Sequence, residues 1–411
     1  MEAEPQKLRR ALNLPMLVLY GLGTTIGAGI YALVGEIAGV AGYGAPASFL
    51  VASIVAGFTA CSFAEMAARY PRAAGAALYV QQGLGSTRLS LLVGLLVVIA
   101  GVVSSAALIN GFTGYLQAFV DVDRAWVIIS IALLLGVLAG WGIAESVTAA
   151  AIVTLVEIGG LLVVIGAGAD SFSALPDRWT EFLPGLENES ETVPWLGVFV
   201  GVTLAFYAFI GFEDMVDVAE EVKDVSRNMP RAILLTLGIS TLLYLLLMMS
   251  ALLTLSPQTL HDSSAPLATL YQAHTGRSPA VIGIIALFAI INGALVQMIM
   301  ASRVLYGLSS RRQLPAVLGR INARTRTPLI ATAVAASLML GLALYGRLAD
   351  LATATSALML TIFALVNLSL WRLKGRESAP PDMLVFPRFV PGLGFLLSVG
   401  FVLRELFALL A

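Results

Sequence analysis

The chain has 411 residues, of which 58% are hydrophobic and only 12% charged, and its mean hydropathy is +0.90. Soluble domains carry roughly a quarter charged residues, so a water-soluble globular protein is excluded and lipid is the main solvent. The net charge of −1 says nothing about partners, none of which is expected to be a nucleic acid, and the single cysteine, Cys61, rules out an internal disulfide or a cysteine metal cluster.

Lys7, Arg9 and Arg10 precede the first apolar stretch as in a signal peptide, but no small-residue cleavage site closes a short apolar region, so a retained first helix is expected. Apolar runs near the ~20 residues needed to cross a bilayer predict spans at Leu12–Ala38, Ala45–Ala67, Leu89–Val120, Trp126–Gly142, Ser146–Gly168, Val193–Phe212, Ala232–Leu255, Pro279–Leu308, Leu329–Tyr345, Leu348–Leu370 and Phe389–Leu410. No soluble segment between them is long enough to bury its own core, so one membrane domain is expected.

With the N-terminus cytoplasmic, all 24 Lys and Arg fall inside except Arg124, Arg178, Arg277, Arg347 and Arg404. This is the positive-inside pattern, and it places Arg311, Arg312, Arg320, Arg324 and Arg326 in one inner loop. The acidic stretch from Asp170 to Glu191 falls outside, and an odd number of spans puts the C-terminus outside too; a plasma (inner) membrane is the expected location. Asn188-Glu189-Ser190 in that outer stretch is a glycosylation sequon that would matter only in a eukaryotic secretory host. His261 and His274 both lie in the outer loop after the seventh span, which leaves no histidine in an apolar run to serve as metal ligand or base.

The first span contains Gly21-Leu22-Gly23-Thr24-Thr25-Ile26-Gly27-Ala28-Gly29-Ile30. Each glycine weakens a helix by about 1 kcal/mol relative to alanine. The sixth span carries Phe206-Tyr207-Ala208-Phe209-Ile210-Gly211-Phe212 and then turns acidic at Glu213 and Asp214. Small-residue runs also let helices pack closely, but paired interruptions five spans apart favour two repeats. A unit with an odd number of crossings, repeated, enters the membrane from opposite sides. The expected fold is therefore an all-α polytopic membrane protein with a five-plus-five inverted repeat, discontinuous helices one and six, and an eleventh helix. Repeat one covers about residues 12–168, repeat two about 193–370 and the extra helix about 389–410. Unwound helix ends offer N–H groups to an anion and carbonyls to a cation, which suits a zwitterionic amino acid.

Gly23-Thr24-Thr25-Ile26-Gly27-Ala28-Gly29-Ile30-Tyr31 resembles the first-helix signature of the amino acid-polyamine-organocation superfamily. Ala64-Glu65-Met66-Ala67-Ala68-Arg69-Tyr70-Pro71-Arg72-Ala73-Ala74-Gly75 resembles its first cytoplasmic loop. Phe206 to Gly211 followed by Ala219-Glu220-Glu221-Val222-Lys223 resembles its sixth helix and exit, and Ala301-Ser302-Arg303-Val304-Leu305-Tyr306 before Leu314-Pro315 the end of its eighth. Gly35-Glu36-Ile37-Ala38-Gly39 and Glu220-Glu221-Val222-Lys223 lean to its cationic amino acid transporter branch. The resemblance implies an amino acid permease working by alternating access, without a cofactor. It implies that the backbone at Gly27, Ala28 and Gly29 holds the substrate carboxylate while carbonyls near Thr25, Tyr207 and Ile210 hold the amine. Tyr207 and Phe209 would offer aromatic faces beside Gly211, with Ser104 or Ser105 lining the pocket.

Glu157 lies near the middle of the fifth span with no charged residue near it in sequence. A charge at the bilayer centre costs about 2.5–3.5 kcal/mol on insertion scales. Such a carboxyl can take up and release a proton as water access alternates, or serve structurally by bonding neighbouring helices. In some proton-coupled members of the resembled family a lysine holds the matching place, so glutamate here is a departure. The stretch Ala289-Ile290-Ile291-Asn292-Gly293-Ala294-Leu295 lacks the hydroxyl pair of sodium-coupled relatives, so a coupling proton is favoured over sodium.

Glu213, Asp214, Asp217, Glu220, Glu221 and Asp224 follow the sixth span. Much of this run shares one face if helical, either paired with the arginine-rich loops or simply solvated. Glu213, nearest the membrane, is a second residue for proton traffic. A channel would need rings of charge or a continuous polar lining, and an enzyme would need a nucleophile, base and metal; neither pattern is present. An exchanger without ion coupling and an amino acid sensor that does not transport stay open as alternatives. The sequence assigns no oligomeric state, and the buried setting of Cys61 argues against a disulfide-linked partner.

Overall fold

The computed structural model describes residues 10–27, 29–72, 75–141, 147–185, 194–380 and 383–410, with the backbone alone at 147–150 and 409. The sequon at Asn188 and the N-terminal Lys7 and Arg9 lie outside these residues. In chain order the helices are α1 (Leu14–Ile26), α2 (Gly29–Ala41), α3 (Ala45–Arg69), α4 (Gly75–Leu84), α5 (Thr87–Gln117), α6 (Arg124–Trp141), α7 (Val147–Ala167), α8 (Leu175–Arg178) and α9 (Trp195–Tyr207). They continue with α10 (Val225–Thr254), α11 (Pro257–Asp262), α12 (Pro266–Thr275), α13 (Ala280–Ser310), α14 (Leu329–Tyr345), α15 (Leu348–Leu373) and α16 (Phe389–Leu410). Among the described residues there is no strand, only an isolated parallel bridge between Leu12 and Val222.

Local sequence explains where helices start. The Asn13 side chain accepts from the Met16 amide at 3.1 Å and Pro15 follows at once, which caps α1. Ser86 caps α5 through the Leu89 amide. The interior is built by α5 against α13 and α15, and by α10 against α3 and α1. Phe63, Phe206, Phe212 and Phe363 form one aromatic cluster, with Phe63 and Phe363 5.4 Å apart. Outward-facing Leu133, Leu134, Val137 and Trp141 on α6, and Leu396, Leu406 and Phe407 on α16, are exposed. Such faces are stable only against lipid, and the chain is an integral membrane protein.

Each expected span carries a helix, but the count of full crossings differs. Eight helical stretches among the described residues are long and apolar enough to cross, and the bent segment from α7 onward makes a ninth. The difference from eleven has a physical cause. α1 has 13 residues because the glycines end it early, α14 has 17, and α2 runs on into α3 through the 3-10 turn Gly42–Gly44. The loop after the second span is helical at α4, and His261 and His274 sit on the short outer helices α11 and α12. Cys61 is half-buried on α3 rather than buried.

Candidate functional site

Both expected interruptions are present. α1 ends at Ile26 and α2 begins at Gly29; Ala28 lies outside the described residues. The sixth segment stops being α-helical at Tyr207, passes through turns with Ala208, Phe209 and Ile210 bonded three residues back, and resumes as a 3-10 helix over Phe212–Glu221. The pivot is Gly211, at φ +123°, where only glycine is at ease.

The two breaks touch. A Cβ on Gly211 would collide with the Thr24 carbonyl, and one on Gly29 would lie 2.9 Å from the Ala208 Cα. The Thr24 hydroxyl donates to the Gly211 carbonyl at 2.9 Å. Tyr244 of α10 joins them from the side, its hydroxyl 3.0 Å from the Thr25 carbonyl and 2.9 Å from the Ala208 carbonyl. With a single proton it donates to one at a time. Thr25, Tyr207 and Ile210 are all buried, and the Thr25 hydroxyl has no hydrogen-bond partner among the described residues. A buried hydroxyl left unmet costs roughly 1–3 kcal/mol. The first amides of α2, at Gly29 and Ile30, have no partner within their own helix and open at the same junction.

Other expected residues divide. Tyr207 is tied to α5 through Ser104, with hydroxyls 2.8 Å apart and a further bond to the Ser104 carbonyl. Ser105 faces the other way, donating to the Ala294 carbonyl of α13 at 2.8 Å and touching the Met339 sulfur, so it joins helices and does not reach Tyr207. Phe209 is fully buried between Phe49 and Tyr244; its ring is packing within the core and presents no aromatic face at the junction. Gly27 sits at the end of α1 beside Glu157, whose Oε2 lies 3.6 Å from where a Gly27 Cβ would be.

Glu157 is 2% exposed, and its backbone carbonyl accepts the Tyr31 hydroxyl of α2 at 2.6 Å. Its carboxyl therefore lies against the break in the first helix. Glu213 accepts from the Gly211 amide at 2.9 Å, so it secures the second break. The acidic run from Glu213 to Glu221 is a 3-10 helix, not the α-helix assumed above, with Asp224 beyond it at the start of α10, and in 3-10 geometry residues three apart align. Asp214, Asp217 and Glu220 thus share a face. Among the described residues Glu213, Asp214 and Asp217 make no ion pair with an arginine. Ion pairs gather instead on Glu65, fully buried at the end of α3, with Lys374 at 2.5 and 2.7 Å, Arg69 at 2.9 Å and the Phe386 amide at 2.9 Å. Thr24 and Tyr31 lie inside the first-helix signature, which implies no role for them, and Tyr244 carries no motif; only its place on a helix beside the breaks would have pointed to it.

A bundle of apolar helices with two broken helices meeting backbone to backbone in its interior defines a polytopic helical membrane protein. The chain belongs to the amino acid permease family, which it matches over residues 12–410. It is 31% identical over 407 residues to cationic amino acid transporter 2, vacuolar, of Arabidopsis thaliana, covering 94% of this chain and 62% of that protein. It is 29% identical to an uncharacterized transporter of Mycobacterium tuberculosis, covering 93% and 84%, and 25% identical to the branched-chain amino acid permease BcaP of Bacillus subtilis, covering 97% and 89%. The chain thus spans less than two thirds of the length of the plant relatives it matches.

Proposed function

We propose that this chain carries amino acids across a membrane by alternating access, with uptake coupled to protonation of Glu157. The observation that carries the reading is the meeting of the two breaks around Tyr244 and the unmet Thr25 hydroxyl. A carboxylate is received by the first amides of α2 near Gly27–Gly29, where helix N-termini attract anions. The amine is received by carbonyls of the two breaks at Thr25 and between Tyr207 and Ile210. The relatives' names, cationic amino acid transporter and branched-chain amino acid permease, support amino acids as cargo and make lysine, arginine and leucine the first substrates to try. The buried carboxyl beside Gly27 supports proton coupling, since it lies against the helix end that must rearrange. The arrangement of basic loops supports a cytoplasmic N-terminus in a plasma (inner) membrane.

The test is uptake of radiolabelled amino acids into proteoliposomes under an imposed pH gradient, with sodium replaced by choline. The expected result is accumulation that follows the proton gradient and ignores sodium. Glu157→Gln should abolish gradient-driven accumulation while retaining substrate-for-substrate counterflow. Accumulation by Glu157→Gln at the wild-type level would refute proton coupling through this residue, and binding without uptake by the wild-type protein would favour a sensor.

A further inference from the structure

A second site lies away from the breaks, on the lipid-facing side of α6 and α14. The two helices leave an open groove of about 500 Å3 whose floor is Gly136, Gly140, Ala333 and Ala336, with Leu133 and Trp141 on its rim. The floor is low because it is made of small residues: a Cβ on Gly136 would lie 3.5 Å from the Ala336 Cβ, and one on Gly140 3.1 Å from Leu329. From Ala132 to Trp141 the groove rises about 14 Å at 1.5 Å per residue, close to half of the ~30 Å hydrocarbon core. It therefore occupies one leaflet. Trp141, 72% exposed, stands where aromatic side chains mark the membrane boundary.

What closes the boundary end is a tightly built turn over residues 322–327. The Asn322 side chain accepts from the Arg324 and Thr325 amides at 2.9 and 3.1 Å. The Arg326 amide donates back to the Asn322 carbonyl, and the Asn322 amide to the Thr327 carbonyl. The Thr327 hydroxyl then anchors the turn on the Gly140 carbonyl at 2.6 Å. Thr325 lines the groove, so Arg324 and Arg326 flank its mouth. Arg326 is held at φ +55°, a left-handed conformation that a side chain other than glycine adopts at a cost of about 1–2 kcal/mol. Both arginines are exposed, and neither makes an ion pair among the described residues. An apolar trough one leaflet deep, ended by two exposed arginines on a fixed backbone turn that pair with no anion among the described residues, is complementary to one kind of molecule.

We propose that this groove is a binding site for an anionic phospholipid of the inner leaflet, with an acyl chain along α6 and α14 and the phosphate between Arg324 and Arg326. Basic residues at the membrane surface attract anionic lipid by roughly fivefold each. The full-length protein, purified in a mild detergent, is presented with equal amounts of phosphatidylglycerol and phosphatidylcholine and examined by native mass spectrometry. Phosphatidylglycerol is retained preferentially, and the Arg324→Gln/Arg326→Gln pair reduces that preference by roughly 20-fold or more. Ala333→Leu, an exposed change that fills the trough, also displaces the lipid. Arg311→Gln/Arg312→Gln removes the same charge from the same loop and leaves the preference within about twofold of wild type. Equal retention of both lipids, or an equal loss in both arginine pairs, overturns the proposal in favour of diffuse attraction. Cross-linking of an Ala333→Cys variant to a second copy overturns it in favour of a dimer face. None of these readouts depends on transport, so the site stands or falls apart from the function proposed above.

Discussion

Gly211 shows how much one residue can decide. Its positive φ and the Thr24 carbonyl pressed against it leave no room for a side chain. Gly211→Ala should therefore cost about 1–3 kcal/mol from backbone strain, with a further loss as α1 is pushed away from the sixth segment. The check is thermal unfolding followed by tryptophan fluorescence. Gly159 on α7 has open space where its Cβ would be, and Gly159→Ala should leave the unfolding temperature unchanged or raise it, by up to about 1 kcal/mol of added stability. The two serines of α5 give a second contrast. Ser104→Ala frees the Tyr207 hydroxyl and should raise KM for uptake severalfold. Ser105→Ala removes a helix-to-helix bond worth about 0.5–1.5 kcal/mol and should lower the unfolding temperature with KM unchanged. Choosing between these neighbours was beyond the sequence for a physical reason: α5 is apolar on every side and almost wholly buried over its inner length, so no polar face sets its rotation. Tyr244 was hidden in the same way, because its role exists only once three separate helices meet.

Among the elements, the C-terminal ends of α3 and α15 are held by the Glu65 cluster. Lys374→Met would leave the buried Glu65 with Arg69 and the Phe386 amide alone. Removing one partner of a buried ion pair costs about 3–5 kcal/mol, and the remaining arginine should keep the loss near the low end of that range. Denaturation in detergent at two salt concentrations measures it, with little salt dependence expected because the pair is shielded from solvent. Elsewhere, on α16, Glu405 accepts from Thr203 of α9 at 2.6 Å, with Arg404 beside both. The last helix is thus bonded to the helix that leads into the second break. Helices themselves were legible in the sequence because lipid demands long apolar runs. α4 was not, since its polar and glycine-flanked sequence reads as loop. The acidic run was misread as α-helix because i, i+4 spacing is equally available to a chain that Gly211 has already turned into tighter 3-10 winding.

At the scale of the molecule, the glycine interruptions in spans one and six located the breaks from sequence to within a few residues. Their meeting was not legible, because contact between segments some 180 residues apart depends on the packing of α3, α5 and α10 around them. The same holds where the first broken segment begins. There the Ala11 and Leu12 amides donate to the Glu221 carbonyl, and the Lys223 amide donates to the Leu12 carbonyl at 2.9 Å. These bonds lie between the lead-in to α1 and the exit from the acidic 3-10 helix, so the two broken segments are clasped together at this end. Neither can move away from the other without breaking them. Three backbone hydrogen bonds contribute about 0.5–1.5 kcal/mol each, a few kcal/mol in all. That sum ties the start of one broken helix to the exit of the other, so that a movement of either which parts them must give up a few kcal/mol.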